Sequence, residues 1–494
     1  VRRKEQLKLL EDQGQWDLLV IGGGASGLGV ALDAVSRGMK TILAEKYDFG
    51  KGTSSKSTKL IHGGVRYLEQ GNVRLVREAL KERDYILEKA PHNAHLQPFI
   101  IPFFNFWMGV FYFTGLKLYD LLAGKRRIGK TKWLSKSIVA KHLPQIVKKN
   151  LKGGILYFDG QFDDARMCID LVRTIQNEGG VCLNYLEFSK PLYKENTING
   201  GILEDKIDGS KYTIYAKYVV NATGVFADSI LKMDNPRSTK KIIPSRGSHI
   251  VLDKKFLDSE YAIMIPKTSD GRVLFVIPWN HKLIIGTTDV KSEDPVIEPQ
   301  ITNEEVDFIL ENSRKYLMLK PERSDILSVY SGLRPLAAPE NDSSKTKEIS
   351  RGHKILTSKS GLVSIIGGKW TTFRKMGEDV LTFIDKMHQA KFEPSRSGSI
   401  TILTPDKQFY SKYPAIEFNE QLLEYLIKEE MACSIEDVLA RRTRILFMDA
   451  QKARSQAPQI GKLMQKILNQ NEHWFQEQLK RFNELSNRYN LQDI

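Results

Sequence analysis

The sequence predicts an α/β fold built on a Rossmann-like dinucleotide-binding domain and closed by a C-terminal all-helical domain. Three observations predict it. Near the N-terminus, WDLLVIGGGASGLGVALDAVSRGMKTILAEK orders a strand, a glycine turn, a helix and a second strand as a βαβ unit. Further on, segments of strand character recur and end in turns of small residues: YTIYAKYVVNATG, GRVLFVIPWNHKLIIGTTD and GLVSIIGG. From about residue 395, charged, glutamine-rich amphipathic patterns such as IEDVLARRTRILFMDAQKA take over.

In the first unit, the apolar strand Leu18 to Ile21 runs into Gly22-x-Gly24-x-x-Gly27. The first glycine permits the tight turn, the second lets the backbone approach a pyrophosphate, and the third lets helix and strand pack closely. The helix N-terminus offers unpaired N–H groups to phosphates, and Glu45, ending the second strand, is placed to accept from a ribose. The motif alone does not separate NAD from FAD.

Next comes TSSKSTKLIHGGVRYL, Thr53 to Leu68, polar and without a clean helical or strand period. After it, Ala90 to Leu116 contains no charged residue and includes FIIPFFNFWMGVFYFTGL, and Lys117 to Lys152 holds eleven Lys or Arg against one acid, Asp120. That basic stretch carries much of a net charge of +15. Such a pair reads first as a surface meeting anionic lipid, with aromatics in the interface and a basic flank on the headgroups. A buried segment with a solvated basic face is the plainer alternative. Pro98, Pro102, Asn105 and Gly109 interrupt the run and argue against a transmembrane span. Nucleic acid fits less well, because the aromatics are not interleaved with the charge.

The middle strand segment reads as a hairpin around Asn280, and VVNATG as a strand breaking into a turn suited to close backbone approach. In GGKWTTFRKMGEDVLTFIDKM, Gly367 and Gly368 open a helix whose apolar face is Phe373, Met376, Val380, Leu381 and Ile384. GGKWTT lacks the P-loop spacing. The Pro, Ser and Gly of EPSRSGS read as a linker to the helical domain. Three cysteines, Cys168, Cys182 and Cys433, have neither disulfide-framework nor metal-like spacing, so no metal is expected and a reducing compartment fits. The charged segment VRRKEQLKLLEDQGQW lacks the apolar run of a signal peptide.

The blocks VIGGGASGLGVALDA, TSSKSTKLIHGGVRYLE, DDARM, NATG, GSHIVL, FVIPW, IIGTTD, YSGLRPL and GGKWTTFRK, in this order, resemble the FAD-dependent, respiratory-type glycerol-3-phosphate dehydrogenases of the glycine oxidase and D-amino-acid oxidase structural superfamily. The resemblance implies an FAD-binding domain over residues 1–90, 150–225 and 325–390. Interleaved with it is an antiparallel-sheet substrate and membrane-proximal domain over 91–149 and 226–324, followed by the helical domain over 395–494.

The resemblance also implies the site. Cofactor contacts fall on Gly22, Gly24, Ala25, Ser26, Gly27 and Glu45, and on the loop residues Thr53, Ser54, Ser57, Lys59, Leu60, His62, Gly63 and Gly64. Thr223, Gly224, Gly332, Gly368, Lys369 and Thr371 complete them. Hydroxyls and backbone N–H groups there satisfy phosphate and flavin oxygens. The expected reaction is oxidation of sn-glycerol 3-phosphate to dihydroxyacetone phosphate. Arg66, Tyr67 and Arg351 would hold the phosphate dianion, Arg334 the oxygen at the reacting carbon, and Lys369 the flavin carbonyl or the substrate. His249 is the first choice for the base, against an ordinary hydrogen-bonding role. No insertion typical of peroxide-forming oxidases is evident, which favours a quinone acceptor. A cytoplasmic chain attached peripherally to the inner face of the cell membrane is expected, with a homodimer admitted and no nucleic acid. The alternatives are a peroxide-forming glycerol phosphate or amine oxidase of the same superfamily, or a basic RNA- or partner-binding flavoprotein.

Overall fold

The computed structural model describes residues 2–12, 14–63, 73–126, 128–338, 352–409 and 416–493. Strand Gln15–Ile21 forms because Leu18, Leu19, Val20 and Ile21 are apolar on both faces, which suits a strand buried between helical layers. It pairs in parallel with Thr41–Ala44 on one side and Lys211–Asn221 on the other. Val181–Leu183 and Val363–Gly367 extend this parallel sheet outward, and His353–Thr357 closes one edge antiparallel. The helix Ala25–Ser36 covers one face and is crossed by Phe373–His388 at two glycines: a Cβ on Gly377 would lie 2.0 Å from the Gly29 carbonyl oxygen. The residues read as the apolar face of the second helix are all buried.

A second, ten-stranded sheet is organised around the long strand Ile242–Asp253, which pairs with Lys282–Gly286 on one side and Ile326–Ala337 on the other. The hairpin expected at Asn280 is present, with Asn280 and His281 both at positive φ between Trp279 and Lys282. Strands Gly153–Phe162 and Ile326–Ala337, given to the FAD-binding domain by boundaries at 150 and 325, are hydrogen-bonded into this second sheet. Those boundaries cut through it, because alternating strands carry no mark of which sheet they will join.

The apolar run Ala90 to Leu116 divides at Asn105, whose side chain caps a helix by accepting from Trp107 N at 2.9 Å. Before it, Ala94–Phe103 is a core strand. After it, Phe106–Ala123 is a helix that buries Gly109, Leu116, Tyr119 and Ala123 and exposes Phe106, Trp107, Phe111, Leu118 and Leu121. Among the described residues, no helix is long and apolar enough to cross a membrane.

EPSRSGS is not a free tether. Ser395 and Ser397 donate to Asp33, and the Arg396 guanidinium holds the Ser36 carbonyl at 2.9 Å. Beyond it, helices Glu420–Lys428, Ala450–Ile467 and Glu472–Asn487 pack onto the second sheet through Val251, Trp279, Ile284 and Tyr330.

Candidate active site

Between the two sheets lies a cavity of 1040 Å³, at the upper end of small-molecule sites, which run to about 1,000 Å³. One wall is the first βαβ unit. Gly22 turns at φ 108°, and a Cβ there would sit 2.7 Å from the Ala222 oxygen, so the turn passes against the end of Lys211–Asn221. The helix Ala25–Ser36 begins at Gly24 without a side-chain cap. Ser54 Oγ accepts from Ala25 N at 2.9 Å, Leu28 N returns to the Gly24 oxygen at 2.9 Å, and the amides of Ser26 and Gly27 have no acceptor within the helix. Positive dipole and unpaired donors together favour a phosphate. Glu45 braces the turn, accepting from Gly23 N at 2.7 Å and Tyr47 N at 2.8 Å, while burial pushes its carboxyl up.

The loop carrying Thr53 and Ser54 is pinned from the far side of the cavity. Thr53 Oγ1 donates to the Leu333 oxygen at 2.5 Å, and Trp370 Nε1 to the Ser54 oxygen at 2.8 Å.

The opposite wall comes from the second sheet. His249 is 2% exposed, its ring stacked on Tyr330 at 4.7 Å and 14°. Its other face lies on Gly286, where a Cβ would be 2.3 Å from the ring, so register in the sheet holds the imidazole between a tyrosine and a glycine. Nε2 lies 3.0 Å from Thr58 Oγ1, and Nδ1 is buried without a hydrogen-bond partner. With the proton on Nε2 and donated to Thr58, Nδ1 is a bare acceptor. Burial, reinforced by the cations Lys59 and Arg334, holds the imidazole well below its ordinary 6.5 and hence neutral.

The sign of that shift predicts a stability effect. Below pH 6.5 the unfolded chain takes up a proton at His249 that the folded chain refuses, so the histidine lowers stability as pH falls. Thermal unfolding followed from pH 7 to 5 should fall less steeply in His249→Asn than in the wild type. Parallel curves would mean that the imidazole titrates normally.

Arg334 lays its guanidinium over Gly247, where a Cβ would be 2.3 Å from Nη2. Nη2 donates to Thr287 Oγ1 at 2.9 Å and the Thr288 oxygen at 3.2 Å, and Nη1 reaches Asp289 at 3.4 Å. Lys369 stands at the start of the turn that opens helix Phe373–His388.

Of the expected site residues, Gly22, Gly24, Ala25, Ser26, Glu45, Thr53, Ser54, Ser57, Leu60 and His62 line this one cavity. So do Thr223, Gly224, His249, Gly332, Arg334, Gly368, Lys369 and Thr371. Gly27 and Gly63 do not line it: the first packs under the glycine turn, and the second donates its N–H to Asp159 at 3.2 Å. Lys59 also lies behind the wall. It is fully buried, with Nζ 2.7 Å from Asp164 and 2.8 Å from the Ser55 oxygen, and desolvation pulls its ammonium down to about 7. Gly64, Arg66, Tyr67 and Arg351 lie outside the described residues.

Sequence reasoning missed Lys46, Lys51 and Lys56, which line the cavity from the same loop, and Asp159, which lines it from the second sheet. The spacing of lysines in KYDFGKGTSSK was the available signal for the first three. Asp159 gave none, since one acid in a strand is unremarkable until Arg83 and Gly63 are seen to converge on it.

Residues 17–374 match the model of the FAD dependent oxidoreductase family, and residues 390–474 that of the C-terminal domain of alpha-glycerophosphate oxidase. The mitochondrial glycerol-3-phosphate dehydrogenase of Macaca fascicularis is 38% identical over 97% of this chain and 74% of its own length. The chain belongs to the FAD-dependent glycerol-3-phosphate dehydrogenase family. Among solved structures, the glycerol-3-phosphate dehydrogenase from Bacillus halodurans, complexed with FAD, matches at a TM-score of 0.78 and 28% identity, covering 99% of this chain and 97% of that one. The L-alpha-glycerophosphate oxidase from Mycoplasma pneumoniae, at 16% identity and a TM-score of 0.58 over 76% of this chain and 95% of that one, shares the fold.

The expected fold class and the FAD cofactor follow for a glycerol-3-phosphate dehydrogenase of this family. The residues present fit FAD. An uncapped helix end and a glycine turn suit a pyrophosphate, and the cavity runs on from them to Lys369 and Arg334, which suit an electron-rich ring and an oxyanion.

Proposed function

We propose that the chain oxidises the C2 alcohol of sn-glycerol 3-phosphate to dihydroxyacetone phosphate and delivers the electrons to a membrane quinone. One observation carries the reading: a single cavity has a phosphate-accepting helix end on one wall and a neutral histidine beside an arginine on the other. FAD, when bound, supplies the hydride acceptor. His249 takes the hydroxyl proton, and Thr58 Oγ1, 3.0 Å from its Nε2, fixes the ring. Arg334 steadies the oxygen as charge develops on it. Lys369 supports the flavin carbonyl or the substrate, and Arg66, Tyr67 and Arg351 hold the phosphate. Anaerobic mixing with sn-glycerol 3-phosphate should bleach the flavin band, whereas glycerol or an amino acid should leave it oxidised. A band unchanged by all three would overturn the substrate assignment.

The acceptor reading rests on an apolar wall. Leu60, Tyr157, Met264, Val273 and Phe275 line the cavity and belong to one cluster with Met108, Tyr112 and Phe113 of the helix Phe106–Ala123. A lipid-soluble oxidant suits such a path. The match to an oxidase's C-terminal domain favours a second reading, a peroxide-forming enzyme. Peroxide formed in air at the rate of substrate loss would establish it.

Attachment is peripheral. Trp107, Phe111, Leu118 and Leu121, spaced four, seven and three residues apart, lie along the exposed side of one helix, with Trp107 76% and Leu121 74% exposed, and Lys117, Arg126, Lys130 and Lys132 are also exposed. The relatives are named mitochondrial, and the inner face of a cell membrane and the membranes of that organelle would present the same anionic chemistry to this helix. Replacing Trp107, Phe111 and Leu121 by Ser should weaken partition onto anionic liposomes at least about tenfold, each buried side chain being worth ~1.5–3 kcal/mol. Unchanged co-sedimentation would count against docking through this helix.

A further inference from the structure

Among the described residues, none beyond Thr371 lines the cavity, so the helical domain touches no part of it directly. Its sequence ARRTR nevertheless sends three buried arginines into the loop that does. Arg441 Nε lies 2.5 Å from Asp48 Oδ2, and Arg442 grips the same carboxylate with Nη1 at 2.5 Å and Nη2 at 3.0 Å. Arg444 Nη2 donates to the Ser55 oxygen at 2.8 Å and to Asp164 Oδ1 at 3.0 Å. The other oxygen of Asp164 accepts from Ser57 N, Ser57 Oγ and Lys59 Nζ, at 3.0, 2.7 and 2.7 Å. Glu436 adds a further tie, taking Lys51 at 2.8 Å and Arg441 at 2.7 Å.

The local backbone is shaped for this delivery. Asp437–Arg442 is wound as a π-helix, and Arg444 sits in the left-handed region at φ 65°. Both are uncommon conformations that persist where surrounding contacts enforce them. From Asp48 to Lys59 one side of the loop is therefore bolted to the helical domain, while the other presents Gly50, Gly52, Thr53, Ser54, Lys56 and Thr58 to the cavity.

We propose that the helical domain is a retention clamp for the cofactor. Arg441, Arg442 and Arg444 are positioning residues that hold the loop closed over FAD without touching it. The proposal rests on the assignment of this cavity to FAD and is independent of the choice of glycerol 3-phosphate as substrate. Three consequences follow. Loosening any of the three arginines speeds flavin escape. A lysine in place of Arg444 restores only part of the hold, since one ammonium cannot serve the Ser55 carbonyl and Asp164 and also the Ala440 carbonyl, which Arg444 Nη1 holds at 2.9 Å. Added FAD, in turn, stabilises the wild type more than it stabilises the variants, because coupling between the two is reciprocal.

The test follows flavin fluorescence as holoenzyme is diluted at a fixed temperature well below unfolding. The variants are Arg442→Met, Arg444→Met, Arg444→Lys and the milder Glu436→Gln. Phe482→Leu is the control: this side chain is fully buried in the core of the helical domain, and its loss lowers stability without disturbing a loop contact. Release at least tenfold faster in the arginine variants, intermediate in Arg444→Lys, and unchanged in Phe482→Leu at a matched drop in Tm would support the clamp. Release that merely tracks Tm across all variants would overturn it and leave the arginines as cement between domains. Should the methionine variants not fold, Arg444→Lys and Glu436→Gln carry the comparison with the same two outcomes. A wild type that holds flavin tightly but is not bleached by glycerol 3-phosphate would defeat the substrate reading and leave the clamp standing.

Discussion

Arg334→Met should lower kcat/KM by about 10²–10³, or ~2.7–4 kcal/mol of lost transition-state stabilisation, the magnitude seen when one oxyanion donor is removed. The guanidinium is held in register by Thr287, Thr288 and Asp289, so its position is set before substrate arrives. Methionine fills much of the same volume over Gly247, so flavin content and Tm should stay near the wild-type values. Lysine keeps the charge but cannot reproduce the fork and should recover little activity. Steady-state rates with an artificial electron acceptor, set beside the flavin-to-protein absorbance ratio, separate the two effects. A methionine variant keeping more than a tenth of wild-type kcat/KM would reduce Arg334 to an ion-pair partner of Asp289.

Gly27→Ala should yield protein almost free of flavin. A Cβ at this position would lie 1.9 Å from the Gly22 carbonyl oxygen and 3.0 Å from its carbon, both backbone atoms of the turn itself. Neither can rotate aside, so the helix must lift from the strand and carry its amides away from the phosphate position. Overpacking a core by one carbon typically costs 1–3 kcal/mol, and here the displaced groups are the binding site. Gly14→Ala is the matched control, because a Cβ there meets nothing within 4 Å. The absorbance ratio of purified protein and the unfolding midpoint are the readouts. A flavin-replete Gly27→Ala protein would show that the first turn tolerates the shift.

What was legible in the sequence was local. The βαβ unit could be read because its apolar run, glycines and terminal acid are contiguous, and the Asn280 hairpin because an Asn-His pair tolerates the left-handed turn that joins its strands. The helix after Gly368 was visible in its 3.6-residue period. What was not legible depended on partners far along the chain. Lys56 and Lys59 are three residues apart in one loop, yet only the first lines the cavity; the second is drawn inward by Asp164, far along the chain. The apolar run from Ala90 looked like one object. Asn105, legible as a helix cap yet counted only as an interruption, separates a core strand from a surface helix. Strand membership in the second sheet was equally hidden, since register there is fixed by pairing between segments such as Ile242–Asp253 and Ile326–Ala337.

The strand order of the parallel sheet also governs how the chain comes into being. Gln15–Ile21 leaves the ribosome well before its neighbour Lys211–Asn221, which must wait for nearly two hundred further residues, and Val363–Gly367 waits longer still. At about 5–20 residues per second, the nascent βαβ unit stands with one bare edge for roughly ten to forty seconds. An exposed edge of Leu, Val and Ile invites pairing with other chains, so this interval is when newly made protein is most open to misassociation. The arginines of ARRTR emerge later than every strand of this sheet, so the loop is clamped over flavin only once they have done so.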